Sequence, residues 1–218
     1  MIKLYGVSIS NNVAKVRYCL SYLNLPYDLI ETSPIKGETQ TDSFRQISPS
    51  GKVPAIDVDG FTLFESNAIN RYLAAIQQAP IYPMDAKKRA KIDAWMDYVS
   101  IHVGAAQGRV TFNRALAPIL GMPSDEAAIK EALELLGKYL PIIDAQLSIN
   151  KYLAGSEFSL ADIDLLAVLD PSELSDINLQ PYSNIVKWRN QLKAEPFYQN
   201  IYKDFTEHVK GAIGSLIA

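Results

Sequence analysis

The sequence predicts two architectures in tandem: an α/β unit running β-α-β, a loop, then β-β-α, followed by a half that is helical throughout. Three observations carry this. The apolar runs Ala55–Val58 and Phe61–Phe64 meet at Asp59-Gly60, and Asp-Gly between such runs is the strongest short-range hairpin signal. After Phe64 the apolar period turns helical, through Ala68, Ile69, Tyr72, Leu73 and Ile76. Beyond a segment with two prolines, residues 77–83, every apolar pattern is helical.

The elements follow in order. Residues 2–5 read as a strand, and the Gly, Ser and Asn content of residues 6–12 marks a loop and helix start. Val13, Val16, Cys19, Leu20 and Leu23 keep helical spacing until Asn24-Leu25-Pro26, after which residues 27–31 form a second strand. A crossover helix makes those two strands parallel. Residues 32–46 are polar and irregular, with one helical turn near Asp42. The linker leads to a long helix from Asp85 with Ile92, Trp95, Met96, Val99 and Val103 on its stripe, continued or bent near residues 112–120. Ile129, Ala132, Leu133, Leu136, Leu140, Ile143 and Leu147 share one face of the next helix, in which Pro141 is expected to introduce a kink. Ser159-Leu160-Ala161-Asp162 reads as a capping box opening a helix that is apolar nearly all round, hence buried. Helices over residues 182–192 and from Pro196 to about Val209 complete the chain. The expected division is residues 1–77, a linker at 78–86, and a helical domain at 87–218.

Composition bounds the function. Of 218 residues, 48% are apolar and 21% charged, which is ordinary for a globular protein with a full core. A net charge of −3 with scattered basic residues argues against nucleic-acid binding. No apolar run approaches the ~18 residues of a membrane span, and the first residues read as a strand and not as a secretory leader. The single cysteine, Cys19, excludes an internal disulfide and fits a reducing compartment, so cytoplasmic location is the expectation. Two distant histidines, His102 and His208, and one cysteine build no metal cluster, so no metal site is expected. His102 reads as a partly buried structural residue.

Two places invite chemistry. The first strand–helix turn sets Ser8, Ser10, Asn11 and Asn12 beside a helix N-terminus. A Cys-x-x-Cys there would mean dithiol exchange, but the chain has Ser10-Asn11-Asn12-Val13, with Cys19 two turns inside the helix. A hydroxyl and a helix N-terminus can instead stabilise a bound thiolate, or Ser10 can simply be a cap. The second place is residues 48–70. Pro54 starts a strand in trans, or a cis Val53-Pro54 bond turns the Val53 backbone outward towards an extended ligand. Glu65-Ser66 lies where strand becomes helix, with Ser66 an N-cap or part of an anion site.

Taken together, Leu4-Tyr5-Gly6 with Ser10 and Lys15-Val16-Arg17, Gly51-Lys52-Val53-Pro54-Ala55, Phe64-Glu65-Ser66-Asn67-Ala68-Ile69, and Tyr152-Leu153-Ala154-Gly155 through Asp162 resemble the cytosolic glutathione S-transferases over the whole chain. The placement of Ser10 looks most like the serine-type classes, phi- or beta-like, of bacteria or fungi, with phi-like features near Phe112 and at residues 118–121. The resemblance implies a thioredoxin-like N-terminal domain, an all-α C-terminal domain, glutathione as co-substrate, a hydrophobic electrophile and a homodimer.

It also implies roles. Ser10, or Asn12 as second candidate, would stabilise the glutathione thiolate. Val53, before a cis Pro54, would pair with the cysteinyl backbone. Glu65 would take the γ-glutamyl ammonium and Ser66 its carboxylate. Lys52, and less directly Gln40 or Lys36, would face the glycyl carboxylate; Thr39-Gln40 stands where phi-like relatives carry His-Lys. Ile9, Arg109 and Phe112 would line the electrophile cleft, and Asp162 is a folding residue and not a catalytic one. Two alternatives share the resemblance: a non-catalytic binding or assembly module like the transferase-like domain of the elongation factor 1 gamma subunit, and a glutathione-dependent peroxidase.

Overall fold

The computed structural model describes residues 1–217, with side chains through Ala212. Ala218, the last residue of the expected helical domain, lies outside the described residues. By packing, the chain divides into two units: Met1–Pro83 together with the segment from Pro196 onward, and Met84–Glu195.

The first unit holds a four-stranded sheet in the order β2-β1-β3-β4. Strands β1 (Ile2–Gly6) and β2 (Tyr27–Glu31) run parallel, as the crossover helix α1 (Asn11–Tyr22) requires. β3 (Ala55–Val58) pairs antiparallel with β1 and with β4 (Phe61–Phe64). The hairpin closes at Asp59 and Gly60, with φ of 52° and 93°, the positive pair that a two-residue primed turn demands. Helix α1 buries Val13, Ala14, Val16, Cys19 and Leu20, and α3 (Ser66–Ile76) buries Ile69, Leu73 and Ala74. Between β2 and β3 lie a 3-10 turn at Glu38–Gln40 and the short helix α2 (Asp42–Ile47).

Gly6 shows how closely β1 and α1 approach. A Cβ on Gly6 would stand 2.4 Å from Val13 Cγ2, which no real contact tolerates. Cys19 is fully buried, its Sγ facing the Asn70 carbonyl at 4.0 Å, and burial pushes its thiol well up, so it is inert at neutral pH.

In the second unit the long helix is α4 (Ala86–Tyr98), and it passes through a π-helical turn, Val99–Gly104, into α5 (Ala105–Thr111) and another π turn, Phe112–Leu116. Helix α6 (Glu126–Ile149) runs through Pro141 without ending there. Every residue of α7 (Leu160–Leu169) is buried, as its all-round apolar pattern predicts. Asp162 closes the capping box on the Ser159 N–H at 3.0 Å and also accepts from Leu153 N at 2.8 Å, Ser159 Oγ at 3.0 Å and Trp188 Nε1 at 3.1 Å. Four donors thus converge on one fully buried carboxylate, which ties the start of α7 to Leu153 and to Trp188 of the helix that follows. Helix α8 (Ser183–Lys193) has no side-chain cap of its own; Asp144 of α6 accepts from the N–H groups of Asn184 and Ile185 at 2.9 and 3.0 Å.

Three expectations change. The helix expected from Pro196 to Val209 is two: the single turn α9 (Pro196–Gln199) and α10 (Phe205–Ile217), the latter opened by Asp204, whose Oδ1 accepts from Glu207 N at 3.1 Å. This segment packs with the first unit, and the cause is aromatic. Tyr18 of α1 stacks on Tyr198 at 5.1 Å and meets Phe197 and Tyr202 edge-on at 6.1 and 6.0 Å. His102 is exposed, its ring between Tyr98 and Tyr139 at 5.1 Å from each. A residue beside an apolar stripe need not turn inward.

Candidate functional site

Register alone brings three loops to one end of the sheet. Tyr5 pairs with Ala55 and Ala55 with Phe64. The turn after β1, which leads to Ser10, therefore leaves the sheet beside Val53-Pro54, which enters β3, and beside Glu65-Ser66, which follows β4. Strands lie about 4.8 Å apart, so the span from the β1 turn to the β4–α3 joint is about 10 Å. An extended tripeptide covers about the same length.

Ser10 is the N-cap of α1, with extended backbone, and its Oγ accepts from Val13 N at 3.4 Å. That bond uses an oxygen lone pair and leaves the hydroxyl proton available to a ligand. Capping and donation are thus compatible. Asn12, one residue into the helix turn, is exposed. The turn itself is closed by Ser10 N donating to Val7 O at 3.1 Å, with Ser8 and Ile9 at its centre and Ile9 half-buried.

The Val53-Pro54 bond is cis. Upstream of it, Gly51 has φ 62°, and a Cβ there would meet the Gln40 amide at 2.9 Å and Thr39 O at 3.1 Å. Gln40 Nε2 donates to Gly51 O at 3.3 Å, while its Oε1 accepts from Arg45 Nη2 at 2.5 Å. Gln40 therefore ties α2 to the turn that carries the exposed Lys52. Arg45, a second cation at this corner, escaped the sequence reading, because only the fold of residues 38–51 places it against Gln40. Lys36 is exposed on the preceding loop.

Glu65 and not Ser66 occupies the N-cap of α3; Ser66 is the first helical residue and is buried. The cap has φ 68° and ψ 112° and makes no side-chain cap bond. A non-glycine residue held at positive φ costs on the order of 1–3 kcal/mol, and such outliers cluster at ligand clamps. Behind it, the first N–H groups and the positive dipole end of α3 suit a carboxylate.

The remaining expected residues lie in the second unit. Arg109 donates to Glu131 Oε2 at 2.8 Å in an exposed ion pair, and Phe112 is 38% exposed at the start of the second π turn. Among the described residues no three His, Cys, Asp or Glu side chains gather as metal ligands, and no helix is long and apolar enough to cross a membrane.

Comparison with known proteins identifies the family. Residues 4–80 match the N-terminal domain model of the glutathione S-transferases, and residues 93–196 match their C-terminal domain model. The chain is 33% identical to glutathione S-transferase 3 of Zea mays over 207 residues, covering 91% of each. It superposes on glutathione transferase F2 of Populus trichocarpa with a TM-score of 0.88 at 29% identity, covering 97% of this chain and 100% of the other. Glutathione S-transferase I from maize, solved with an atrazine–glutathione conjugate, gives a TM-score of 0.84 at 28% identity over 92% and 95% of the two chains. These relatives are plant proteins, so they do not support the bacterial or fungal class that the serine placement suggested.

Proposed function

The chain belongs to the glutathione S-transferase family, and from that premise we propose that Ser10, Val53, Glu65 and Ser66 hold one glutathione molecule across the end of the sheet. The reaction is conjugation of the glutathione thiolate to an electrophilic small molecule. The observation that carries the assignment is the register Tyr5–Ala55–Phe64, which aligns three polar joints over about the length of a tripeptide.

Each joint has the chemistry for one part of the ligand. The Glu65 carboxylate takes the γ-glutamyl ammonium, and Ser66 with the N-terminus of α3 takes the γ-glutamyl carboxylate. The Val53 backbone pairs with the cysteinyl residue. Lys52, with Gln40 and Arg45, faces the glycyl carboxylate. The Ser10 hydroxyl donates to the sulfur, and the N-terminus of α1 adds its positive dipole end, which together favour thiolate over thiol. Asn12 is the alternative donor. Ile9, next to Ser10 in the turn, contacts the electrophile. Catalysis then comes from a stabilised thiolate held in place, with no covalent protein intermediate.

The test is a titration of the thiolate absorbance of bound glutathione in wild type and Ser10→Ala. The expected result is a higher thiol pKa in the variant; equal values would move the role to Asn12. A homodimer and a cytoplasmic location belong to the same proposal. Sedimentation equilibrium at a mass near 24.2 kDa instead of twice that would refute the dimer.

A further inference from the structure

The turn that carries Ser10 is held from the far end of the chain. Tyr202, in the stretch between α9 and α10, donates its hydroxyl to Ser8 O at 2.6 Å. The same hydroxyl oxygen accepts from Arg17 Nη1 at 2.8 Å, and Arg17 Nε donates to Tyr27 OH at 2.9 Å. His208 Nε2 of α10 lies 2.9 Å from Ser8 Oγ, and its ring packs on Tyr202 at 4.9 Å. Ser8 is thus gripped at its backbone carbonyl and at its side chain, two residues before the cap of α1.

We propose that Tyr202 and His208 are positioning residues for catalysis: through Ser8 they set the Val7–Ser10 turn, and thereby the hydroxyl presented to the glutathione sulfur. This rests on the assignment of the thiolate site to that turn.

Four features support it. Tyr202 is 3% exposed and anchored by Phe205 at 5.3 Å, so the grip has a rigid base. Arg17 binds the oxygen of the Tyr202 hydroxyl, which polarises its O–H and strengthens the bond to Ser8 O. Partial burial and then the Arg17 charge hold His208 below its ordinary value, so its ring is neutral at neutral pH and adds no second cation to the cluster. Among the described residues, the backbone bond within this turn is Ser10 N to Val7 O at 3.1 Å, which leaves much of its support to the contacts on Ser8. Misplacing a catalytic group by about 1 Å can cost roughly 100-fold in rate, so a fixed turn matters more here than its small share of stability.

The experiment measures the pKa of the bound glutathione thiol, together with kcat and the KM for glutathione using an activated aryl chloride. The variants are Tyr202→Phe, His208→Ala, His208→Gln and Ser10→Ala, with Lys210→Ala on the same helix as control. Tyr202→Phe keeps the buried ring and its packing, and His208 is exposed, so both variants should fold. The expected result is a raised thiol pKa and a kcat lowered about fivefold or more in Tyr202→Phe. His208→Ala should move the same way, with partial recovery in His208→Gln and a wild-type Lys210→Ala. Wild-type thiol pKa and kcat in both Tyr202→Phe and His208→Ala would overturn the proposal. If Ser10→Ala is silent while Tyr202→Phe shifts the thiol, the grip on the turn stands and only the choice of Ser10 falls. If Ser10→Ala shifts the thiol and the other two do not, the reverse holds.

Discussion

The backbone N–H of Val13 points at Ser10 Oγ across 3.4 Å, so one side chain ends a loop and caps a helix while its hydroxyl proton is not used by that bond. Capping and the proposed donation to the thiolate can be separated. Aspartate caps a helix at least as well as serine, but it would set a negative charge beside the thiolate. Ser10→Ala should lose about 1 kcal/mol of stability. Ser10→Asp should keep wild-type stability in urea unfolding yet show a higher thiol pKa and lower turnover than Ser10→Ala. A stable Ser10→Asp with wild-type turnover would contradict the thiolate role.

Glu65 sits at φ 68° without a cap bond of its own. Glycine tolerates that backbone freely, so Glu65→Gly should stabilise the protein or leave it unchanged, within about 1 kcal/mol. If Glu65 holds the γ-glutamyl ammonium as proposed, the same variant should raise the Kd for glutathione at least tenfold, an effect equivalent to about 1.4 kcal/mol or more. Isothermal titration with glutathione checks this directly.

Gly6 leaves no room for a methyl group against Val13. Gly6→Ala must push α1 off the sheet at the point where Ser10 begins the helix. The expected loss is about 1–3 kcal/mol in denaturant unfolding, with a weaker grip on glutathione. Gly6→Ala combined with Val13→Ala should recover part of the stability, since the clash is with the valine methyls.

Burial pushes Asp162 from 3.8 up to about 6 despite four donors. A raised value means the folded state binds the proton more tightly than the unfolded chain. This contribution to stability is therefore present at low pH and lost as pH rises from about 4 to about 6, the reverse of a salt-bridged carboxylate. Wild type should gain on Asp162→Asn as pH is lowered through that window, by up to about 1.4 kcal/mol per pKa unit. Urea unfolding at several pH values would show it. At neutral pH, Asp162→Ala should cost about 3–4 kcal/mol, because several buried donors lose their acceptor together.

Asp144 caps α8 from another helix. Asp144→Ala should cost about 1–2 kcal/mol and increase amide exchange at Asn184 and Ile185, leaving glutathione affinity unchanged.

Much of this protein was legible without coordinates because the signals are local. Asp59-Gly60 makes a hairpin through two positive φ angles, Ser159 and Asp162 form a capping box three residues apart, and α7 declares its burial by being apolar on every side. Ser10, Val53 and Glu65 stand at element boundaries, where spacing left bland roles open, and only the resemblance to the glutathione S-transferases assigned them to one ligand. That the loops carrying them leave one end of the sheet could not be read from spacing, since it depends on the pairing of Tyr5 with Ala55 and of Ala55 with Phe64. The helical second half was equally plain, but the placement of its last segment was not. Residues 196 onward have helical period whichever partner they meet, and only the aromatic packing on Tyr18 brings Tyr202 and His208 to Ser8. Likewise Asp144 is one more acidic residue on α6 until α8 lies across it, and Arg45 one more surface cation until Gln40 turns towards Gly51. Propensity, capping and periodicity act within a few residues and are written in the chain. Contacts between distant segments depend on which surfaces meet after those elements form, and that was decided by tertiary packing.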